Sequence, residues 1–133
     1  MKLYYPEPDS SDVAALVSGE TIAFVVLHQL EFSNALELKL FRKEATAAQV
    51  RATNTLVERD ARAGVLHRPA VDWDDVLRDA SSMARSHTRA LGCRSLDILH
   101  CSAASHLAAA AFITTDERQR RLAIRIGLTC PVV

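Results

Sequence analysis

Aromatic residues are scarce in this 133-residue chain, at 5%, so its core must be built from Ala, Leu, Val and Ile. Only four glycines are present and they form no Gly-rich phosphate cradle, which disfavours nucleotide hydrolysis. Neither sign of charge is in excess: 16 basic residues face 16 acidic ones, so net charge points to neither nucleic acid nor a membrane surface, and any basic patch must be local. The three cysteines, Cys93, Cys101 and Cys130, form no CxxC pair, and the odd count fits reduced thiols in a cytoplasm better than a disulfide framework. The longest apolar runs, residues 22–27 and 107–113, are too short to span a bilayer, and the first residues lack a signal-peptide run. A single soluble cytoplasmic domain over residues 1–133, with no membrane partner, is the expectation.

What is present alternates between strand-like and helix-like stretches. Residues 6–11 read as a loop leading to a helix over about 12–18. The β-branched run 21–26 lacks alternation and predicts a strand buried on both faces. A helix follows, with Leu30, Ala35, Leu38 and Phe41 near helical spacing. Thr46 reads as the N-cap of the next helix, which carries Val50, Thr53, Leu56 and Val57 on one side and stops at Gly64. An extended piece over 65–70 leads to Asp72, the expected cap of a helix bearing Trp73, Val76, Leu77, Ala80 and Ala84. Beyond Gly92, a helix over about 96–109, a strand over 112–115, a helix over 117–126 and a last strand over 128–133 complete the reading. Strands alternating with helices predict an α/β domain, a parallel sheet with helices on both faces.

In open α/β sheets, ligands gather where strands end and helix N-termini point. Three acids fall at such places: Glu31 after the first strand, Asp97 at the start of the alanine-rich helix, and Asp116 after residues 112–115. Carboxylates brought together repel unless a cation neutralises them, and Mg²⁺ or Mn²⁺ prefers oxygen ligands. Each acid also has a plainer reading. Asp97 and Asp116 suit first helical turns, where acids interact favourably with the helix dipole, and Glu31 suits a solvated helix face. Arg118, Arg120, Arg121 and Arg125 make the following helix basic, which fits either RNA phosphates or a solvated face. The histidines and cysteines have no spacing of a tetrahedral zinc site, and nothing orients a Cys–His nucleophile pair.

Three segments carry a resemblance. Glu31 with Asn34-Ala35-Leu36 is similar to an E-x-x-N-A-L motif. Arg94-Ser95-Leu96-Asp97-Ile98-Leu99-His100-Cys101-Ser102-Ala103-Ala104 resembles R-S-L-D-x-L-H-x-A-A-A. Phe112-Ile113-Thr114-Thr115-Asp116-Glu117-Arg118-Gln119 resembles F-x-T-x-D-x-R-Q, and Leu122-Ala123 and Gly127-Leu128 follow it. These stand in the order found in PIN-domain ribonucleases of the VapC toxin type, and the chain resembles that family over nearly its whole length. The resemblance implies a PIN-like three-layer fold and an endoribonuclease that cleaves RNA phosphodiester bonds with Mg²⁺ or Mn²⁺. It implies metal-site carboxylates at Glu31, Asp97 and Asp116, a supporting hydroxyl at Thr114 and an RNA-contacting Arg118. The metal would turn bound water into a hydroxide nucleophile and neutralise phosphate charge. It further implies a VapB-type antitoxin partner and a homodimer.

The start of the chain departs from the family pattern. Family members open with a short strand ending in an Asp-Thr-Ser-like motif and reach V-K-L-Y-x-P-E-P-x-S only after a helix. Here Met1-Lys2-Leu3-Tyr4-Tyr5-Pro6-Glu7-Pro8-Asp9-Ser10 falls inside that later segment. The expectation is therefore a sheet lacking the family's first central strand and first aspartate. Two functions follow from the resemblance: an active toxin, or a catalytically inactive remnant that binds an antitoxin or its own copy.

Overall fold

The computed structural model describes residues 3–5 and 7–133; Met1, Lys2 and Pro6 of the N-terminal segment lie outside the described residues. It is mixed α/β and mostly helical, and it separates into two compact units, residues 1–70 and 71–133.

The first unit runs α1 (Ser10–Leu16), β1 (Ile22–Ala23), α2 (Val26–Phe41), α3 (Ala47–Arg62) and β2 (Leu66–His67). Its clearest local signal is at α3. Thr46 Oγ1 accepts the Gln49 N–H at 3.2 Å while Gln49 Oε1 accepts the Thr46 N–H at 2.8 Å, a reciprocal cap that satisfies two otherwise orphaned donors. The helix then buries Val50, Thr53 and Val57, as their spacing predicts, and leaves Leu56 at the margin. β1 and β2 pair in parallel, Ile22 opposite Leu66 and Ala23 opposite His67; flanking bonds run from Ile22 N–H to Val65 C=O (2.9 Å) and from Phe24 N–H to His67 C=O (2.7 Å). Phe32 and Leu36 of α2 pack with Val50, Val57 and Leu66. Phe24 and Tyr4 each meet the Phe32 ring edge-to-face at 6.3 Å, and with Tyr5 four of the few aromatics pack in this core.

Two expectations for this unit are corrected. The strand over 21–26 shrinks to two residues, both half-buried rather than covered on two faces; among the described residues its ladder is the two-residue pairing with β2. On α2 the buried stripe is Leu27, Phe32 and Leu36, whereas Leu30 (67% exposed) and Phe41 (83%) face outward. This helix is apolar on more than one side, so periodicity alone did not select the inward face.

The second unit is helical: α4 (Trp73–Met83), a π-helical turn (Ala84–Thr88), a last turn α5 (Arg89–Leu91), then α6 (Ser95–His106) and α7 (Glu117–Arg125). Asp72 caps α4 by accepting the Asp75 N–H at 3.1 Å. Gly92 ends α5 at φ 65°, left-handed backbone that glycine adopts without a Cβ penalty. The core joins Ala80, Cys93, Ile98, Cys101, Leu122 and Ala123, with Phe112, Leu128 and Cys130 partly buried against it. Small residues on α6 let neighbouring backbone approach, and Ser102 Oγ, fully buried, donates to the Val76 carbonyl of α4 at 2.8 Å.

The strands expected over 112–115 and 128–133 do not form. One backbone bond, from Phe112 N–H to Thr129 C=O at 2.8 Å, links these segments, and a single bond is not a ladder. Among the described residues the expected sheet is thus the β1–β2 pair.

Candidate functional site

Helix α6 begins at an extended N-cap residue, Arg94, with Asp97 three positions on. That spacing lets Asp97 Oδ2 turn back and accept the Arg94 N–H at 3.1 Å, satisfying a donor the helix cannot. The Arg94 side chain folds onto the same carboxylate, with Nε 2.8 Å from Oδ2 and Nη2 3.1 Å from Oδ1, the bidentate match of a planar guanidinium to a carboxylate.

Helix α7 begins at Asp116, whose Oδ1 accepts the N–H groups of Arg118 (2.9 Å) and Gln119 (3.2 Å). Its own N–H donates to Thr114 Oγ1 at 3.1 Å, so the threonine hydroxyl fixes the approach to the cap. The remaining oxygen, Oδ2, accepts Arg94 Nη2 at 2.6 Å. One nitrogen, Nη2, therefore serves both aspartates, although they begin different helices.

Burial differs across the group. Asp97 is 6% exposed, the Asp116 side chain 33% and the Arg94 side chain 60%, so the pair opens to solvent on the Arg94 and Asp116 side. Burial pushes the Asp97 carboxyl up, but the Arg94 side-chain bonds, the Arg94 N–H and the charges of Arg94 and Arg118 outweigh it and hold it below the ordinary aspartate value. The same two aspartates stabilise the charged form of Arg94. With Arg94 and Arg118 beside Asp97 and Asp116, the patch carries two charges of each sign.

Of the expected site residues, Asp97, Thr114, Asp116 and Arg118 come together in the second unit. Glu31 lies in the first unit, half-buried within α2. Both aspartates also perform the plainer task, serving the first turns of their helices. The residue that sequence reasoning left out is Arg94. The signal was available: an acid three residues beyond a helix start is the spacing of a cap that folds back on the N-cap residue.

Two aspartate carboxylates within reach of one point are the donor chemistry of a hard divalent cation, and such an ion would be held by Asp97 and Asp116. Among the described residues no group of three or more His, Cys, Asp or Glu side chains is arranged to hold a metal. The cysteines belong to the core rather than to this chemistry. Burial pushes the Cys101 thiol up to about 12, helped by neighbouring Cys93, Asp97 and Cys130, and raises Cys93 and Cys130 as well. Among the described residues no helix is long and apolar enough to cross a membrane. Compared with protein-family models, curated proteins and solved structures, the chain matches none of them.

Proposed function

We propose that this chain is a PIN-type endoribonuclease of the VapC toxin kind, acting on RNA in the cytoplasm with Mg²⁺ or Mn²⁺, and held in check by a VapB-type antitoxin. The observation that carries the reading is the meeting of Asp97 and Asp116 at the starts of two helices, on one guanidinium nitrogen. Asp97 and Asp116 hold the cation in this reading, and Glu31 is the further acid the sequence motif nominates. A bound cation would activate water as the nucleophile and neutralise charge on the phosphate. Thr114 holds the backbone at Asp116, so the carboxylate keeps its direction. Arg118, exposed and beside the pair, gives RNA phosphate a positive contact without leaving the first turn of α7.

The test is cleavage of unstructured oligoribonucleotides by the purified chain with Mn²⁺, with Mg²⁺ and with a chelator. Asp97→Asn and Asp116→Asn should each lower the rate at least about a hundredfold, as expected when a group that stabilises transition-state charge is lost. Arg118→Gln should weaken RNA binding more than it slows turnover. Cleavage that persists in chelator, or that survives both asparagine substitutions, would overturn the proposal.

A second reading, a non-catalytic module that binds an antitoxin or a second copy, draws on α2. Val26, Leu30 and Phe41 lie on one side of that helix and are all exposed, an apolar stripe on its surface. Concentration-dependent sedimentation that changes on Phe41→Ser, in a chain without metal-dependent cleavage, would favour this reading over the enzyme.

A further inference from the structure

The patch around Asp97 is already neutralised from within. A hard cation bridging two carboxylates sits about 2.0–2.2 Å from an oxygen of each. Arg94 Nη2 stands 3.1 Å from Asp97 Oδ1 and 2.6 Å from Asp116 Oδ2, so it occupies an oxygen of each carboxylate that a bridging ion would need. The two occupancies exclude each other: a divalent ion beside Nη2 would face an uncompensated guanidinium at contact distance. Arg94 is also anchored so that it can leave. Its side chain is 60% exposed, and only its backbone N–H is committed to the helix start, through a bond Asp97 can keep while the guanidinium swings out to solvent.

We propose that Arg94 is a built-in competitor for the cation site: a latch that holds Asp97 and Asp116 together without metal and must be displaced for a divalent ion to bind. The proposal rests on the reading of Asp97 and Asp116 as metal carboxylates and adds the regulation of that site. Arg94 keeps two like charges from separating the starts of α6 and α7. It also sets a threshold, so that the site fills only when the ion's gain exceeds that of three side-chain bonds to Arg94. RNA phosphate is a natural aid to release, because it offers the freed guanidinium a new anionic partner.

The test measures binding, without RNA, on the full chain. Mn²⁺ is titrated by calorimetry, with bound ion counted by electron paramagnetic resonance, for the natural chain, Arg94→Gln, Arg94→Lys, Asp97→Asn and the double variant Arg94→Gln/Asp116→Asn. Losing a charged competitor should tighten Mn²⁺ binding about tenfold or more in Arg94→Gln. Arg94→Lys, which keeps the charge but loses the fork, should fall between. The double variant should lose the gain. In a parallel titration with diamagnetic Mg²⁺, the Arg94 Nε–H resonance of the natural chain should move toward the position of a solvated arginine as the site fills. That arm decides the matter if Arg94→Gln fails to fold. Mn²⁺ binding that needs Asp97 but is no tighter in folded Arg94→Gln would overturn the latch and leave the metal site standing. An Arg94 resonance unmoved while an Asp97-dependent site fills would do the same. Binding that no aspartate substitution affects would overturn both.

Discussion

The two aspartates differ in burial and in the bonds they accept, so removing each should cost a different amount. Asp116→Ala deletes the cap of α7, which loses the acceptor for two N–H groups and costs about 1 kcal/mol, within the range of about 0.5–2 for such caps. Its ion pair with Arg94 is exposed and adds little. Asp116→Asn keeps an oxygen for the cap and should cost less than about 0.5 kcal/mol. Asp97→Ala removes a carboxylate that is 6% exposed and accepts three bonds from Arg94. Because Arg94 is free to hydrate once released, the loss should stay near that of one charge-assisted bond, about 2–3 kcal/mol. Trp73, the sole tryptophan, lies in α4 of the second unit, so its fluorescence during urea unfolding reports the unit that holds both acids. The expected order is Asp97→Ala most destabilised, Asp116→Ala next and Asp116→Asn near the natural chain. An Asp97→Ala variant no less stable than Asp116→Asn would refute the assignment of Asp97 as the anchored partner.

Acid should act through Asp97. Its folded value lies below the ordinary 3.8, so between the two the unfolded chain binds more protons; stability is full above about pH 4 and falls as pH drops toward the folded value, and Asp97→Asn should flatten that decline. Leu122, fully buried where α7 enters the core, should cost about 2–5 kcal/mol when truncated to Ala, measured by the same urea assay. Thiol labelling with a neutral disulfide reagent at pH 7.5 should be slowest at Cys101, which is fully buried with a thiol pushed up to about 12, and should reach partly exposed Cys130 first; prompt labelling of Cys101 in the native chain would contradict its place in the core.

The features legible from sequence were those decided within four or five residues. Thr46 and Asp72 form the expected N-caps, with Gln49 and Asp75, and Asp116, expected in a first helical turn, sits at the N-cap and accepts from Arg118 and Gln119; all three are local donor–acceptor arrangements. The strand-like runs were different, because a β-branched run becomes a strand only when another segment supplies a ladder. Residues 21–26 found two residues' worth in β2, and residues 112–115 found one bond. On α2 the difficulty was a surplus of apolar positions, with Leu30 and Phe41 as eligible for the core as Phe32 and Leu36. Asp97 and Asp116 could be nominated from the sequence, but not their shared nitrogen, since Arg94 and Asp116 are 22 residues apart and meet only through the packing of α6 against α7.

Helix α6 carries four consecutive buried residues, Cys101, Ser102, Ala103 and Ala104. Successive positions on a helix are about 100° apart, so four in a row point to every side of the axis. A helix wrapped in this way cannot fray from its middle: its amides exchange with solvent only when the unit around it opens, and those near residues 102–106 should be the slowest in the second unit. Asp97 sits one turn before that stretch, on the same rigid rod, whereas Asp116 sits at the outer end of a helix whose neighbouring residues are exposed. Motion that brings the two carboxylates together or apart is therefore expected at the start of α7, where amide exchange near residues 116–118 should be faster than at residues 102–106.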